Sequence, residues 1–138
     1  MITFEVLGNP KALKRHRTFF KNGRRINTDP SKGDKADFLT QALASRPDKP
    51  LTGPLKMQIE FFMPRPKNHF GTGKNASNLK DSAPWWHTSR PDLDNMVKLV
   101  KDALDGVFYK DDSQICTLHA AKAYTTQAPR VVVGLVKL

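Results

Sequence analysis

At 138 residues with a hydrophobic fraction of 38%, the chain is sized for one domain with a single core, and its periodic segments argue against disorder. Its 23 Lys and Arg against 13 Asp and Glu leave a net charge of +10. That balance points to a polyanionic partner, most often nucleic acid, with solubility from excess lysine as the plainer account. No apolar run approaches the roughly 20 residues of a membrane span. MITFEVLGNP lacks a basic region followed by an apolar stretch, so no signal peptide is expected. Cys116 is the sole cysteine and forms no internal disulfide, which fits an intracellular protein.

In chain order, ITFEVLG alternates as a first strand. RHRTFFKNGRRINT follows, with Asn22-Gly23 between two short arms, a strong hairpin signal. From Lys11 to Arg25 there are seven Lys or Arg and no acid, with Phe19 and Phe20 among them. Lys14, Arg15, Arg17, Arg24 and Arg25 are therefore candidate DNA-binding residues. The competing account is that such charges only block edge-to-edge aggregation. DPSKGDKADFLTQALASR reads as a helix in which Ser31 and Asp34 resemble a capping box and Phe38, Leu39, Ala42 and Leu43 form the apolar stripe. LKMQIEFFM is the clearest strand, with Leu55, Met57, Ile59, Phe61 and Met63 on one side. A long loop follows at about 64–91, rich in Gly, Pro, Asn and Ser. Trp85, Trp86 and His87 near its end read as packing or loop anchors rather than catalytic groups. VVVGLVKL closes the chain as a buried strand, and no internal repeat is present.

The acids are concentrated. RPDLDNMVKLVKDALDGVFYKDDSQ, Arg90 to Gln114, holds six of the 13. Six acids against three lysines between Asp92 and Asp112 give −3 there, which leaves +13 on the remainder. A helix fits Asp94 to Leu104, ended by Gly106, with Met96, Leu99, Val100, Ala103 and Val107 as its core stripe. Asp94, Lys98, Lys101, Asp102 and Asp105 lie opposite, where i,i+4 ion pairs are the plain account and the preferred one for Lys101 and Asp105. Asp92 fits that account poorly. On a helix it diverges from Asp94, whereas in extended chain the two share a side, and Pro91 biases Arg90 away from helix. With the helix starting near Asp94, both carboxylates can converge on a hard cation, and the pair Asp111-Asp112 can fold back to the same place. Such a set suits Mg²⁺. Histidines and Cys116 are too few and scattered for zinc.

The arrangement as a whole resembles the signature of the RusA family of Holliday-junction resolvases. The shared features are the D-x-D-N opening, Lys four residues after the second Asp, the DAL turn and the DDSQ close, across about 26 residues. The basic opening GNPKALKRHR is similar to the family's N-terminus. The resemblance implies an α+β fold, a small mixed sheet with an N-terminal basic hairpin and two main helices packed on it, in one domain over 1–138. It implies a Mg²⁺-dependent endodeoxyribonuclease, with one or two ions per site, that cuts four-way junctions as a homodimer in the cytoplasm of a bacterial or phage-infected cell. The family's catalytic and metal-binding acids fall on Asp92, Asp94 and Asp112, and its essential lysine on Lys98. No family role transfers to the loop at 67–88. Two other readings stay open: a non-catalytic branched-DNA-binding module, and a metal-dependent nuclease for other branched DNA or for RNA.

Overall fold

The computed structural model describes residues 1–138. Its regular elements are β1 (Ile2–Leu7), β2 (Arg17–Lys21), β3 (Arg24–Thr28), α1 (Lys32–Ala42), β4 (Leu55–Pro64), α2 (Leu93–Leu104), β5 (Ile115–Thr125) and β6 (Arg130–Lys137). Four strands form a mixed sheet in the order β1-β6-β4-β5, antiparallel except for the parallel pair β4–β5. The α+β expectation holds.

Alternation along β4 decides the core. Leu55, Met57, Ile59, Phe61 and Met63 are buried, while Gln58 and Glu60 face solvent on the other side. Val131, Val133 and Leu135 of β6 continue the same apolar face, as do Phe4 and Val6 of β1. Phe38 and Ala42 of α1 cover it, and so does the stripe Met96, Leu99, Val100 and Ala103 of α2. Val97 is buried beside that stripe, whereas Val107 lies half-buried beyond the helix end. Truncating Phe61, 1% exposed, to Ala would cost about 3–5 kcal/mol.

Helix starts differ from the sequence expectation in one place. Ser31 precedes α1 but makes no side-chain cap bond. Its hydroxyl accepts instead from Lys14 N–H at 2.7 Å, and its own N–H donates to Asp29 Oδ1 at 3.0 Å. Ser31 is fully buried, so its oxygen serves the incoming basic segment rather than the helix.

The basic hairpin is a two-stranded sheet of its own, with Asn22 and Gly23 both at positive φ as a two-residue turn requires. Apart from Ile26 and Thr28, its strand residues are exposed. The long loop adds to the other edge. Trp86 stands opposite Ala123 of β5, the Tyr124 N–H donates to Trp85 C=O at 3.0 Å, and the His87 N–H reaches Lys122 C=O. The rings of His69 and His87 both pack edge-on against Tyr124, and Arg65 lies over it while donating to Pro84 C=O at 2.7 Å. His87 is thus a buried anchor. Trp85 and Trp86 are anchored through their main chain and are 65% and 60% exposed.

Candidate active site

Asp92 sits immediately before α2 with extended φ/ψ of −70° and 141°, and the helix proper begins at Leu93. Its carbonyl accepts from Met96 N–H, but its carboxylate makes no cap bond and is left free. Asp94 follows in the first turn, where the helix dipole favours an anion, and is exposed like Lys98 one turn on. Neither Asp94–Lys98 nor Lys101–Asp105 closes into an ion pair; those present are Lys35–Asp29, Arg130–Glu5 and His16–Asp29. For Asp105 the reason is backbone: it is the extended residue that ends α2, not a helical residue above Lys101.

Two contacts that the sequence does not advertise fix this region. The Lys122 ammonium on β5 donates to the carbonyls of Ser89 and Pro91, at 2.6 and 2.7 Å, and so holds the segment that presents Asp92. The N–H of Leu13, in the basic N-terminal stretch, donates to Asn95 C=O in the first turn of α2 at 2.9 Å.

Asp111 and Asp112 lie elsewhere. Asp111 caps a short 3₁₀ turn, Asp112–Gln114: its carboxylate accepts from Ser113 N–H at 2.9 Å while Gln114 Oε1 accepts from Asp111 N–H. Hydrogen bonding from Ser113, through its side chain first and then its N–H, holds the Asp111 carboxyl below its usual range. Gln114 also pins the turn to the carbonyls of Leu51 and Gly53, ahead of β4. Asp111 is therefore occupied, and Asp112 is the member of the pair left without such a bond. Capping, not alternation along a strand, distinguishes the two.

Around the C-terminal end of α2 the negative charge is dense. Desolvation first, then repulsion from Asp112, Asp111 and Asp102, raises the Asp105 carboxyl above its usual range. Burial, then Asp105 and those same carboxylates, push the Tyr109 hydroxyl up, and it donates to Lys101 C=O at 2.6 Å.

Comparison with known proteins gives three matches of different reach. The family described as Endodeoxyribonuclease RusA matches residues 8–136. This chain belongs to the RusA family. The uncharacterized protein YqaN of Bacillus subtilis (strain 168) is 37% identical over 134 residues, 96% of this chain and 93% of that protein. The crossover junction endodeoxyribonuclease rusA of Lactococcus phage r1t is 38% identical over 72 residues, which are 50% of this chain and 44% of the phage protein. By family the chain is an endodeoxyribonuclease, and RusA-type nucleases are generally metal-dependent.

Against that expectation, the carboxylates of a single RusA-family chain here do not make one metal site. β4 and β5 run parallel, so α2 between them must return the chain to the start of the sheet. Lys122, which holds Pro91, lies seven residues along β5 from Ile115, about 23 Å at strand rise. Asp92 and Asp94 occupy one end of α2 and Asp112 the other, where it repels Asp105. No group of three or more His, Cys, Asp or Glu is placed to hold an ion. The fold-back of Asp111-Asp112 onto Asp92 and Asp94 does not occur within one chain, because the parallel crossover separates them by a helix length.

Proposed function

We propose that this chain is a structure-specific endodeoxyribonuclease that resolves four-way DNA junctions by paired phosphodiester hydrolysis, as a homodimer requiring Mg²⁺. The observation that carries the reading is the Leu13–Asn95 main-chain bond of 2.9 Å. It ties the basic N-terminal stretch to the turn that bears Asp94. An acid pair that repels phosphate is thereby coupled to the cations that attract it. Family membership supports nuclease chemistry, and the name of the phage relative supports the junction as substrate.

Within this reading each group has a distinct task. Hydrolysis adds water to phosphorus and breaks one P–O bond, so negative charge grows on the phosphoryl oxygens. Lys98, exposed one turn beyond Asp94, meets that charge in this reading. Ionised Asp92 and Asp94 are acceptors only, and their oxygens are of the kind a hard cation takes. Lys14, Arg15, Arg17, Arg24 and Arg25 grip the flanking backbone, and the exposed Phe19 and Phe20 offer rings for stacking.

The test is a panel of four-way junctions, flaps, duplexes and RNA of matched sequence, each with Mg²⁺ and with EDTA. Paired nicks in junctions, lost in EDTA and in Asp94→Asn, are expected. Asp94→Asn should still bind junctions in EDTA, as tightly as wild type or more so, because one repulsive charge is gone. Binding without cutting by the wild-type chain would reassign it as a branched-DNA-binding module. Preferential cutting of flaps or RNA would change the substrate.

A further inference from the structure

Resting on the junction reading, we infer that Trp85 and Trp86 form a stacking platform for bases left uncovered at the branch point of the DNA. A packing role would bury the indoles, yet both residues stay mostly exposed. The main chain that carries them is nevertheless fixed on both sides. Arg65 donates to Pro84 C=O at 2.7 Å just ahead of them, and Lys122 donates to the carbonyls of Ser89 and Pro91 just after. Between those clamps Trp86 bridges to Ala123, and the His87 ring is buried against Tyr124. Large rings on a fixed backbone lose little freedom when a ligand covers them, which favours binding. Two adjacent indoles presented in this way mark a contact surface.

Charge selects the occupant. Residues 64–91 contain five Lys or Arg and one acid, Asp81. Lys67, Lys74, Lys80 and Arg90 are exposed. Cations around bare aromatic rings suit bases joined by phosphates, whereas an apolar protein face would have to strip water from those cations.

Position relates the platform to the acids. Trp86 precedes Asp92 by six residues, no more than about 22 Å of fully extended chain. At about 3.4 Å per nucleotide along a strand, a base on the indoles lies within about six nucleotides of Asp92. Lys122, which holds the segment before Asp92, is the immediate neighbour of Ala123, which meets Trp86. In duplex DNA each base is covered above and below by its neighbours, whereas a branch point leaves base faces free. Every base has such a face, so stacking reads the DNA's structure and not its sequence. Phosphate contacts are met by duplex and junction alike.

Intrinsic fluorescence tests the platform directly, because Trp85 and Trp86 are the chain's two tryptophans. In EDTA, a saturating four-way junction should quench their emission. A duplex of matched sequence, bound to saturation by anisotropy, should leave it unchanged. Trp85→Ala and Trp86→Ala, each with unchanged melting, should weaken junction binding by about 5- to 150-fold for one lost stacked base, and leave duplex binding as it was. Trp85→Phe and Trp86→Phe should restore most of the loss. Equal weakening on junction and duplex, or junction binding without quenching, would overturn the platform. So would emission that moves to shorter wavelength as protein concentration rises without DNA, since a second copy would then cover the indoles. Quenching and junction preference in a chain that never cuts with Mg²⁺ would remove the nuclease reading and support the platform.

Discussion

Removing the charge of Arg15, Arg17, Arg24 and Arg25 together, by substitution with Gln, separates DNA grip from edge protection. The structure makes the perturbation clean. The hairpin is a separate sheet that carries Arg17, Arg24 and Arg25, Arg15 lies just ahead of it, and all four are exposed with none in an ion pair. Its register rests on main-chain pairing and on the Thr18–Asn27 and Thr28–Arg17 bonds, which the substitutions leave in place. Melting behaviour should therefore be unchanged. If all four contact phosphate, the log–log salt slope of junction binding falls by about 3.6, at about 0.9 for each contact. Between about 50 and 200 mM salt, wild-type affinity should then drop about 150-fold more than that of the variant. Fluorescence anisotropy of a labelled junction, titrated in EDTA to prevent cutting, measures both slopes. An unchanged slope would refute phosphate contact and return the arginines to aggregation control. A smaller fall counts the contacts actually made.

Three further outcomes follow from individual side chains. Asp112→Asn should abolish junction cleavage, whereas Asp111→Asn should keep most of it while lowering the melting temperature, since it loosens the Ser113 and Gln114 cap; reversed activities would exchange their roles. Tyr109→Phe should destabilise the fold by about 1–3 kcal/mol in urea unfolding, because the Lys101 carbonyl loses its 2.6 Å donor in a buried setting. Burial and then the nearby Lys122 ammonium lower the pKa of His87, so the folded chain favours the neutral ring. The unfolded chain takes up the proton first as pH falls through about 6.5, so stability declines below that pH. An NMR titration should place the His87 midpoint below the ordinary histidine value, with loss of amide protection at Tyr124 as the ring protonates. A midpoint at or above it would refute the anchor.

The sheet core was legible because β4 and α2 obey single periods: alternate residues from Leu55 to Met63, and the stripe from Met96 to Ala103, are buried. The hairpin turn was legible because Asn22-Gly23 admits positive φ at both positions. β5 was not. ICTLHAAKAYT does not alternate, since half of it is an edge exposed on both faces and its end is covered by the long loop. Ser31 misled because a serine before a helix can serve any nearby N–H, and that of Lys14 arrives from a distant part of the chain. The extended Asp92 just ahead of α2 was legible from Pro91 and helix spacing. Lys122 was not, because nothing local distinguishes a lysine that holds two carbonyls from one in solvent.

Missing β5 had a specific consequence for the site. Without it, Arg90 to Gln114 reads as one compact motif whose acids close on a common point. With it, the same stretch is the second half of a parallel crossover, which leaves the sheet at one end of its strands and re-enters at the other. The acids are neighbours in sequence and strangers within the chain. Repulsion sharpens the separation. Asp105 already feels Asp102, Asp111 and Asp112, so bringing Asp92 and Asp94 to the same place would gather still more negative charge without a cation between them. Splitting the carboxylates between the two ends of α2 relieves that cost in the lone chain.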